Sequence, residues 1–142
     1  ACGDADLARV EDEAEIAVAG SGDVRLGDAG QAEIAIAGSG DVTLGEIHNG
    51  LNVSVAGSGD VTAARVDGAT SIAVQGSGDV LIRDGLATSL SVVIAGGGDV
   101  THGGSAQTLD AVILGGGDVR VRHVEGEISR SVLGGGEVVV GR

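Results

Sequence analysis

Seven acidic side chains recur at a nearly constant spacing along the 142-residue chain. Each lies in a motif that reads Gly-Ser-Gly-Asp-Val in its first four copies, and the acids follow one another in steps of 18 to 20 residues. The seven acids, called here the acidic ladder, are Asp23, Asp41, Asp60, Asp79, Asp99, Asp118 and Glu137. Carboxylate and carbonyl oxygens are the ligands that Ca²⁺ takes in proteins. Stacked at about one strand spacing, ~4.8 Å, such carboxylates repel by about 1 kcal/mol per pair even in water, so a cation would stabilise them.

A Ca²⁺ site along the ladder is therefore one hypothesis, with the six aspartates Asp23, Asp41, Asp60, Asp79, Asp99 and Asp118 as candidate ligands. The alternative needs no metal, because Asp and Gly are ordinary turn residues and a turn Asp accepts hydrogen bonds from backbone amides, as in an Asx turn. Secreted β-rolls that bind Ca²⁺ repeat every nine residues or so, about half the period of this chain. The turn interpretation is the favoured one, and no resident cofactor is expected.

The residues on either side of each motif predict two short strands. Ile16 and Val18 precede the first motif with alternate spacing, as do similar pairs in most other copies, which indicates a strand with one buried face. Small residues such as Ala17 separate the members of each pair and predict a smooth outward face. A second strand follows the motif with inward positions such as Val24 and Leu26. Some copies are expected to add a third inward residue, namely Ile47, Val66, Leu86 or Val124.

A period of about 19 residues without any helical pattern predicts an all-β fold. We expect a single right-handed parallel β-helix, a β-solenoid of about seven rungs, or coils, of ~19 residues, the hand following from the general crossover preference. Phe, Trp, Tyr, Met and Pro are absent, as suits a narrow interior filled by stacked aliphatic side chains. We divide the chain into an N-terminal tail, residues 1–5, and a solenoid domain, residues 6–142.

Two glycines in each motif are predicted to form the structural corners. Both are expected to permit positive φ at a tight turn, and the small Ser or Gly between them is expected to let the coils stack closely. The corner glycines are Gly20, Gly22, Gly38, Gly40, Gly57, Gly59, Gly76, Gly78, Gly96, Gly98, Gly115, Gly117, Gly134 and Gly136.

Composition excludes several classes of function. The net charge of −13, from 21 acidic residues and 8 arginines, repels phosphate groups, so nucleic acid is not an expected partner. No run of 18 apolar residues occurs, so no transmembrane segment is predicted. No enzyme is expected either, because the loops are short, Lys and aromatic residues are missing, and the arginines are scattered. The arginines considered were Arg25, Arg65, Arg83 and Arg120.

The single cysteine and the three histidines are weak candidates for chemistry. Cys2 follows Ala1 as in a bacterial lipoprotein signal, so a lipid anchor is one reading and a free terminal thiol is the favoured one. His48 and His123 lie at different offsets from their corner acids, which predicts no metal cluster. His102 falls in the inward column of the second strand and is expected to be a tolerated buried histidine or to mark a local bulge.

The spacing, the Gly-Ser-Gly-Asp-Val corner and the closing run of residues 124–138 resemble a bacterial family described as putative auto-transporter adhesin, head GIN domain. The resemblance covers residues 6 to 141 and implies a secreted or envelope-attached β-solenoid. It supplies no catalytic residues. The chain departs from the pattern at Gly97, Gly116, Gly135 and Glu137, where Ser or Asp stands in the earlier copies.

Two functions of different class follow. The first is a non-catalytic module of the bacterial cell envelope or extracellular space, structural or adhesive, which self-associates end to end or grips a cell-surface ligand. Arg130 lies in the inward column of the last coil and would discourage stacking there, unless Glu127 or the next subunit pairs with it. The second is a Ca²⁺-responsive secreted β-solenoid.

Overall fold

The computed structural model describes the backbone of residues 5–141 and the side chains of residues 12–141. This part of the chain forms twelve β-strands and no helix. The strands are β1 (Ala5–Gly20), β2 (Val24–Gly38), β3 (Val42–Gly57), β4 (Val61–Val66), β5 (Gly68–Val74), β6 (Val80–Ile82), β7 (Leu86–Ile94), β8 (Val100–Ala106), β9 (Leu109–Ile113), β10 (Val119–Val124), β11 (Ile128–Val132) and β12 (Val138–Val140). Cys2 lies outside the described residues, and β1 already begins at Ala5, the last residue of the predicted tail.

All strands pair in parallel with the equivalent strand one coil away. Each coil contributes one segment before its corner and one after it, and the two sets form two faces. The pre-corner face contains residues 13–20 of β1, 31–38 of β2 and 50–57 of β3, followed by β5, β7, β9 and β11. The post-corner face contains residues 5–10, 24–29 and 42–47, followed by β4, β6, β8, β10 and β12.

The predicted β-solenoid is confirmed, with seven segments on the pre-corner face and eight on the post-corner face. The first three strands run unbroken around a coil, whereas later coils divide into two strands. The right-handed sense stays a prediction. The described residues contain no apolar helix of membrane-spanning length.

The core is a set of aliphatic columns that run along the solenoid axis. In one of these columns, on the pre-corner face, Val53, Ile72 and Val92 are paired in consecutive coils and are fully buried. The inward positions of the post-corner face are buried as predicted from Val24 to Val121 and half-buried in the last coil. Each fully buried Val, Leu or Ile contributes about 1.5–3 kcal/mol of burial free energy, so stacked aliphatic side chains stabilise the core without aromatic residues.

The prediction that Leu86 lies in the core is wrong. Leu86 is 60% exposed, and its neighbour Ala87 is buried at 1%. The register pairs Leu86 with Ser105 and Ala87 with Ala106, and Ala106 is itself buried. Because side chains alternate between faces, a shift of one residue moves the larger side chain to the outside. Ile47 and Val66 are buried as expected, and Val124 is half-buried.

Candidate functional site

The acidic ladder lies along one exposed edge, and its carboxylates are hydrogen-bonded to the backbone of the following coil. The N–H of Asp118 donates to Asp99 Oδ1 at 3.1 Å, and the N–H of Glu137 donates to Asp118 Oδ1 at 3.2 Å. Such bonds, of 3.1–3.4 Å, link five of the six steps, the other donors being Asp41, Asp79 and Asp99. The carboxylates thus accept from turn amides, as the turn interpretation expects. The donors belong to the next coil, however, and not to the same turn.

A second set of hydrogen bonds runs beside the first. The N–H of the Val that follows each acid donates to the carbonyl of the acid in the next coil, for example Val100 to Asp118 at 2.9 Å. The five other pairs are Val24 to Asp41, Val42 to Asp60, Val61 to Asp79, Val80 to Asp99 and Val119 to Glu137, at 2.8–2.9 Å. Each corner is therefore held to the next by its backbone and its side chain together.

No three His, Cys, Asp or Glu side chains within the described part of the chain are placed so that they could hold a metal ion. One oxygen of most ladder carboxylates already accepts a backbone hydrogen bond. The Ca²⁺ hypothesis for Asp23 through Asp118 stays a prediction.

Both glycines of a corner are needed for space, and only the first has positive φ, which corrects the expectation that both permit it. The first has positive φ in several copies, as at Gly20 with 114°, and a Cβ at Gly38 would overlap the Gly20 carbonyl oxygen. A Cβ at the second glycine of a later corner, Gly98, would overlap the Gly78 carbonyl oxygen and lie 2.7 Å from Val74 Cγ1. The middle residue does not bring the coils together, because a Cβ at Gly97 would meet open space.

His102 is an inward histidine, as predicted, and is 1% exposed. The Gly104 N–H donates to its Nδ1 at 3.2 Å, while Nε2 has no hydrogen-bond partner among the described residues. Burial lowers the pKa of His102 from its ordinary value, and the nearby Asp84 carboxylate opposes part of that effect. The side chain is therefore a neutral imidazole in an aliphatic column, with one buried N–H left unpaired.

The two ends of the described solenoid differ. In the first coil the inward residues Ile16 and Val18 are 7% and 3% exposed. In the last coil the inward residues Ile128 and Val132 are 42% and 38% exposed. Arg130 occupies the inward register position opposite Ala111, as predicted, and its side chain is exposed.

Glu127 does not pair with Arg130, since the ion pair found among residues 12–141 joins Arg65 and Asp67 at 3.2 Å. The Leu86 N–H also donates to Asp67, at 2.9 Å. The C-terminal end of the described solenoid therefore presents apolar side chains and the guanidinium group of Arg130, which no carboxylate neutralises there.

Sequence reasoning missed a cluster of arginines on the post-corner face. Arg120 and Arg122 are alternate residues of β10 and are both exposed. Gly103 lies next to Arg83, since a Cβ there would overlap the Arg83 carbonyl oxygen. Gly103 follows His102, which is paired with Val121, so Arg122 lies one coil beyond Gly103. Arg83 and Arg122 thus share one surface although they are far apart in the sequence, and the signal that could have found them was their equal offset of four residues from the corner acids Asp79 and Asp118.

Twelve parallel strands in seven coils, joined at Gly- and Asp-containing corners, define a β-solenoid repeat protein. The chain belongs to the family described as "Putative auto-transporter adhesin, head GIN domain", whose model matches residues 3–84 and again residues 64–141. No curated protein and no solved structure matches the chain. Membership of an adhesin-type family indicates a non-enzymatic module at the cell surface or outside the cell.

Proposed function

We propose that the chain is a non-catalytic structural or adhesion module of the bacterial cell envelope or extracellular space, and that it self-associates end to end through its outermost coils. Membership of the adhesin-type family supports the surface role. The observation that carries self-association is the free strand edge at β12.

Within the solenoid, each coil hydrogen-bonds to the next through fixed donors. The Val119 N–H, for example, donates to the Glu137 carbonyl at 2.9 Å. The equivalent donor in β12 is the N–H of Val138, and the described residues place no further coil beyond it. Val139 beside it is 46% exposed. An uncovered edge with exposed apolar residues is a template for another strand.

The occupant that fits this edge is a second copy of the same chain. At the opposite end, β1 pairs with β2 on one side, and the described residues place no other strand against its second side. Both edges are parallel and belong to the same repeat, so β12 of one copy and residues 5–10 of the next can pair as consecutive coils do. This contact is heterologous, and it propagates into a filament.

The unequal faces leave a gap at such a junction. The post-corner face has one strand more than the pre-corner face, because residues 5–10 precede the first pre-corner segment. A copy paired to β12 would leave a space of about one strand, ~4.8 Å, above β11. The exposed Arg130 side chain would lie in that space and stay hydrated. Stacking would therefore not bury an unpaired charge, which is costly.

Charge opposes stacking and must be screened. The last coil presents Arg130 together with the exposed acids Glu125, Glu127 and Glu137, and the first coil presents Asp12, Glu13 and Glu15. Like charges across a wet junction repel weakly, and salt screens that repulsion. The expected assembly is therefore concentration-dependent and strengthens as the salt concentration rises.

Sedimentation velocity over a wide concentration range, with electron microscopy of the same samples, tests the proposal. The wild-type chain should form oligomers or filaments as its concentration rises. Val138→Pro removes the free donor at an edge position that tolerates proline, and should raise the concentration needed for assembly at least about tenfold. Arg130→Val removes the charge from the gap and should lengthen the assemblies.

A wild-type chain that stays monomeric at every concentration would overturn self-association. Assembly of Val138→Pro at the wild-type concentration would show that β12 is not the contact. The Ca²⁺-responsive solenoid remains the alternative function, and no single observation of the structure favours it over the surface module.

A further inference from the structure

The pre-corner face presents two neighbouring outward columns that contain no charged residue. They hold the residues one and three positions before the first glycine of each corner, such as Ala19 and Ala17 in the first coil. These two columns are called here the neutral face. Acids lie on both sides of it, since the acidic ladder follows the corner and the next outward column contains the exposed Glu33 and Asp110. The neutral face is therefore a surface that a second acidic chain can approach closely.

The side chains of the neutral face become larger along the solenoid. In the column nearest the corner, alanine stands in each of the first three coils, whereas leucine stands in the last two, as Leu114 and Leu133. These leucines are 50% and 75% exposed. Val93 and Val112 lie beside them in the other column. These four residues, called here the apolar patch, form the kind of contiguous exposed apolar surface that marks an interaction site.

The gradient in side-chain size indicates what covers the apolar patch. If a second copy lies face to face with the first and runs in the opposite direction, the last coil of one meets the first coil of the other. Leu133 then faces Ala19 of the other copy and Leu114 faces Ala37, so each leucine lies over an alanine. The summed side-chain size is therefore similar along the whole contact, as close packing requires. Two copies running in the same direction would set patch against patch at one end and leave a gap at the other.

The two-fold axis of such a pair passes through the fourth coil. Gln75 stands there in the column nearest the corner, and its side chain is exposed. It faces Gln75 of the other copy, and because a primary amide both donates and accepts, the two side chains can hydrogen-bond to each other. Ala73 lies beside it and leaves room for the amides. An isologous contact of this kind is closed and stops at two copies.

We propose that the neutral face is a self-association surface that joins two copies side by side in opposite directions. The observation that carries the proposal is the apolar patch at one end of an uncharged sheet face whose other end holds only alanines in the matching column. This lateral contact goes beyond end-to-end stacking, because it uses neither β12 nor residues 5–10. In a filament, it would join two solenoid columns that run in opposite directions.

The area of the neutral face sets the strength of the contact. Seven coils span about 34 Å and two outward columns with their margins about 14 Å, so each copy buries roughly 500 Å². The total of about 1,000 Å² is at the lower limit for a specific interface. Like charges at the rim oppose the contact, since Glu33 faces Asp110 of the other copy and the two acidic ladders run along the same edge of the pair. We therefore expect a reversible dimer that strengthens as the salt concentration rises.

Sedimentation velocity of the Val138→Pro chain, in which end stacking is blocked, tests the proposal. This chain should show a monomer–dimer equilibrium that stops at the dimer. Leu114→Asp sets a carboxylate against Ala37 of the other copy and should weaken dimerisation at least about tenfold, because an unpaired charge would be buried. Leu86→Asp is the matched control, since Leu86 is exposed outside the neutral face, and it should leave the dimer unchanged. If Val138→Pro fails to fold, the wild-type chain below the concentration at which filaments form provides the same measurement.

Cross-linking tests the direction of the two copies. In a Cys2→Ser background, chains with Ala37→Cys and chains with Leu114→Cys are mixed and treated with a short bis-maleimide. The mixed sample should cross-link faster than either variant alone, because identical positions of the two copies lie about four coils, ~19 Å, apart. Gln75→Cys, next to the two-fold axis, should cross-link by itself.

Three results would overturn the inference: a Val138→Pro chain that stays monomeric at every concentration and salt, an equal loss of dimer in Leu86→Asp, or cross-linking of Ala37→Cys with itself in preference to the mixed pair. End stacking fails in a different way. A wild-type chain that stops at the dimer refutes end stacking and leaves the lateral pair, whereas wild-type filaments together with a strictly monomeric Val138→Pro chain refute the lateral pair alone.

Discussion

Asp99 and Asp118 are joined across two successive coils by the side chain of one and the backbone of the other. The Asp118 N–H donates to Asp99 Oδ1 at 3.1 Å, and the Asp118 carbonyl accepts from the Val100 N–H at 2.9 Å. The same arrangement recurs at most corners. The acidic ladder therefore ties coil to coil through the hydrogen bonds that its carboxylates and carbonyls accept.

Replacing Asp99 separates the role of its carboxylate as an acceptor from that of its charge. Asp99→Ala removes the acceptor for the Asp118 N–H and should lower the free energy of unfolding by about 1 kcal/mol. Asp99→Asn keeps an oxygen acceptor and removes one repulsive charge from the ladder, so it should cost less than the alanine variant. Urea unfolding of both variants at low and high salt provides the measurement. A loss in the asparagine variant as large as in the alanine variant would mean that the charge itself is required.

Calcium provides the second prediction. Ladder oxygens already accept backbone hydrogen bonds, as between Glu137 and Asp118, so we expect the thermal midpoint to be the same in millimolar Ca²⁺ and in excess chelator at matched ionic strength. Differential scanning calorimetry measures the difference. A large rise that Ca²⁺ produces and Mg²⁺ does not would establish the Ca²⁺-responsive solenoid instead.

Substitution by alanine should destabilise the fold at one glycine of a corner and have little effect at the glycine beside it. Gly98→Ala places a methyl group against the Gly78 carbonyl oxygen and 2.7 Å from Val74 Cγ1, so it should destabilise the fold by roughly 3 kcal/mol or prevent folding. Gly97→Ala meets open space and should change stability by less than about 0.5 kcal/mol. Chemical unfolding of the pair is the measurement. Equal losses would contradict the assignment of the second glycine as the close-packed position.

Stability should fall in mild acid because of His102. Burial lowers the pKa of this imidazole below the ordinary 6.5 that it regains on unfolding. Below about pH 6.5 the unfolded chain therefore binds a proton that the folded chain does not, and the free energy of unfolding decreases as the pH drops toward the lowered pKa. Urea unfolding between about pH 5 and 7.5 should show this slope.

His102→Leu should remove most of that slope, because Leu is the residue at the equivalent positions of the first and second coils, Leu26 and Leu44. His48→Gln is the control at an exposed histidine and should preserve it. A slope that persists in His102→Leu would assign the acid sensitivity to the carboxylates.

The repeat alone predicted much of this fold. Alternation places Ile16 and Val18 on one side of a strand. This holds for any strand, whichever strand it pairs with, because it depends only on the local backbone geometry. The corner positions follow from glycines at constant offsets. For the same reason His102 could be placed in the core from its column, before any contact was known.

The prediction failed where the answer depends on one coil lying against another. Leu86 was assigned to the core because it is apolar, whereas the register with Ser105 turns it outward. Arg83 and Arg120 were interpreted as scattered because 37 residues separate them, yet they lie on the same face two coils apart.

The sequence by itself thus determined the coil, its inward columns and its corners, since these depend on the two-residue alternation of a strand and on glycine spacing. Only the tertiary structure decided which amide each ladder carboxylate binds, which arginines share a face and how exposed Arg130 is. These are contacts between coils, and the connections between coils vary in length, so a shift of a single residue there changes the partners while leaving the repeat unchanged.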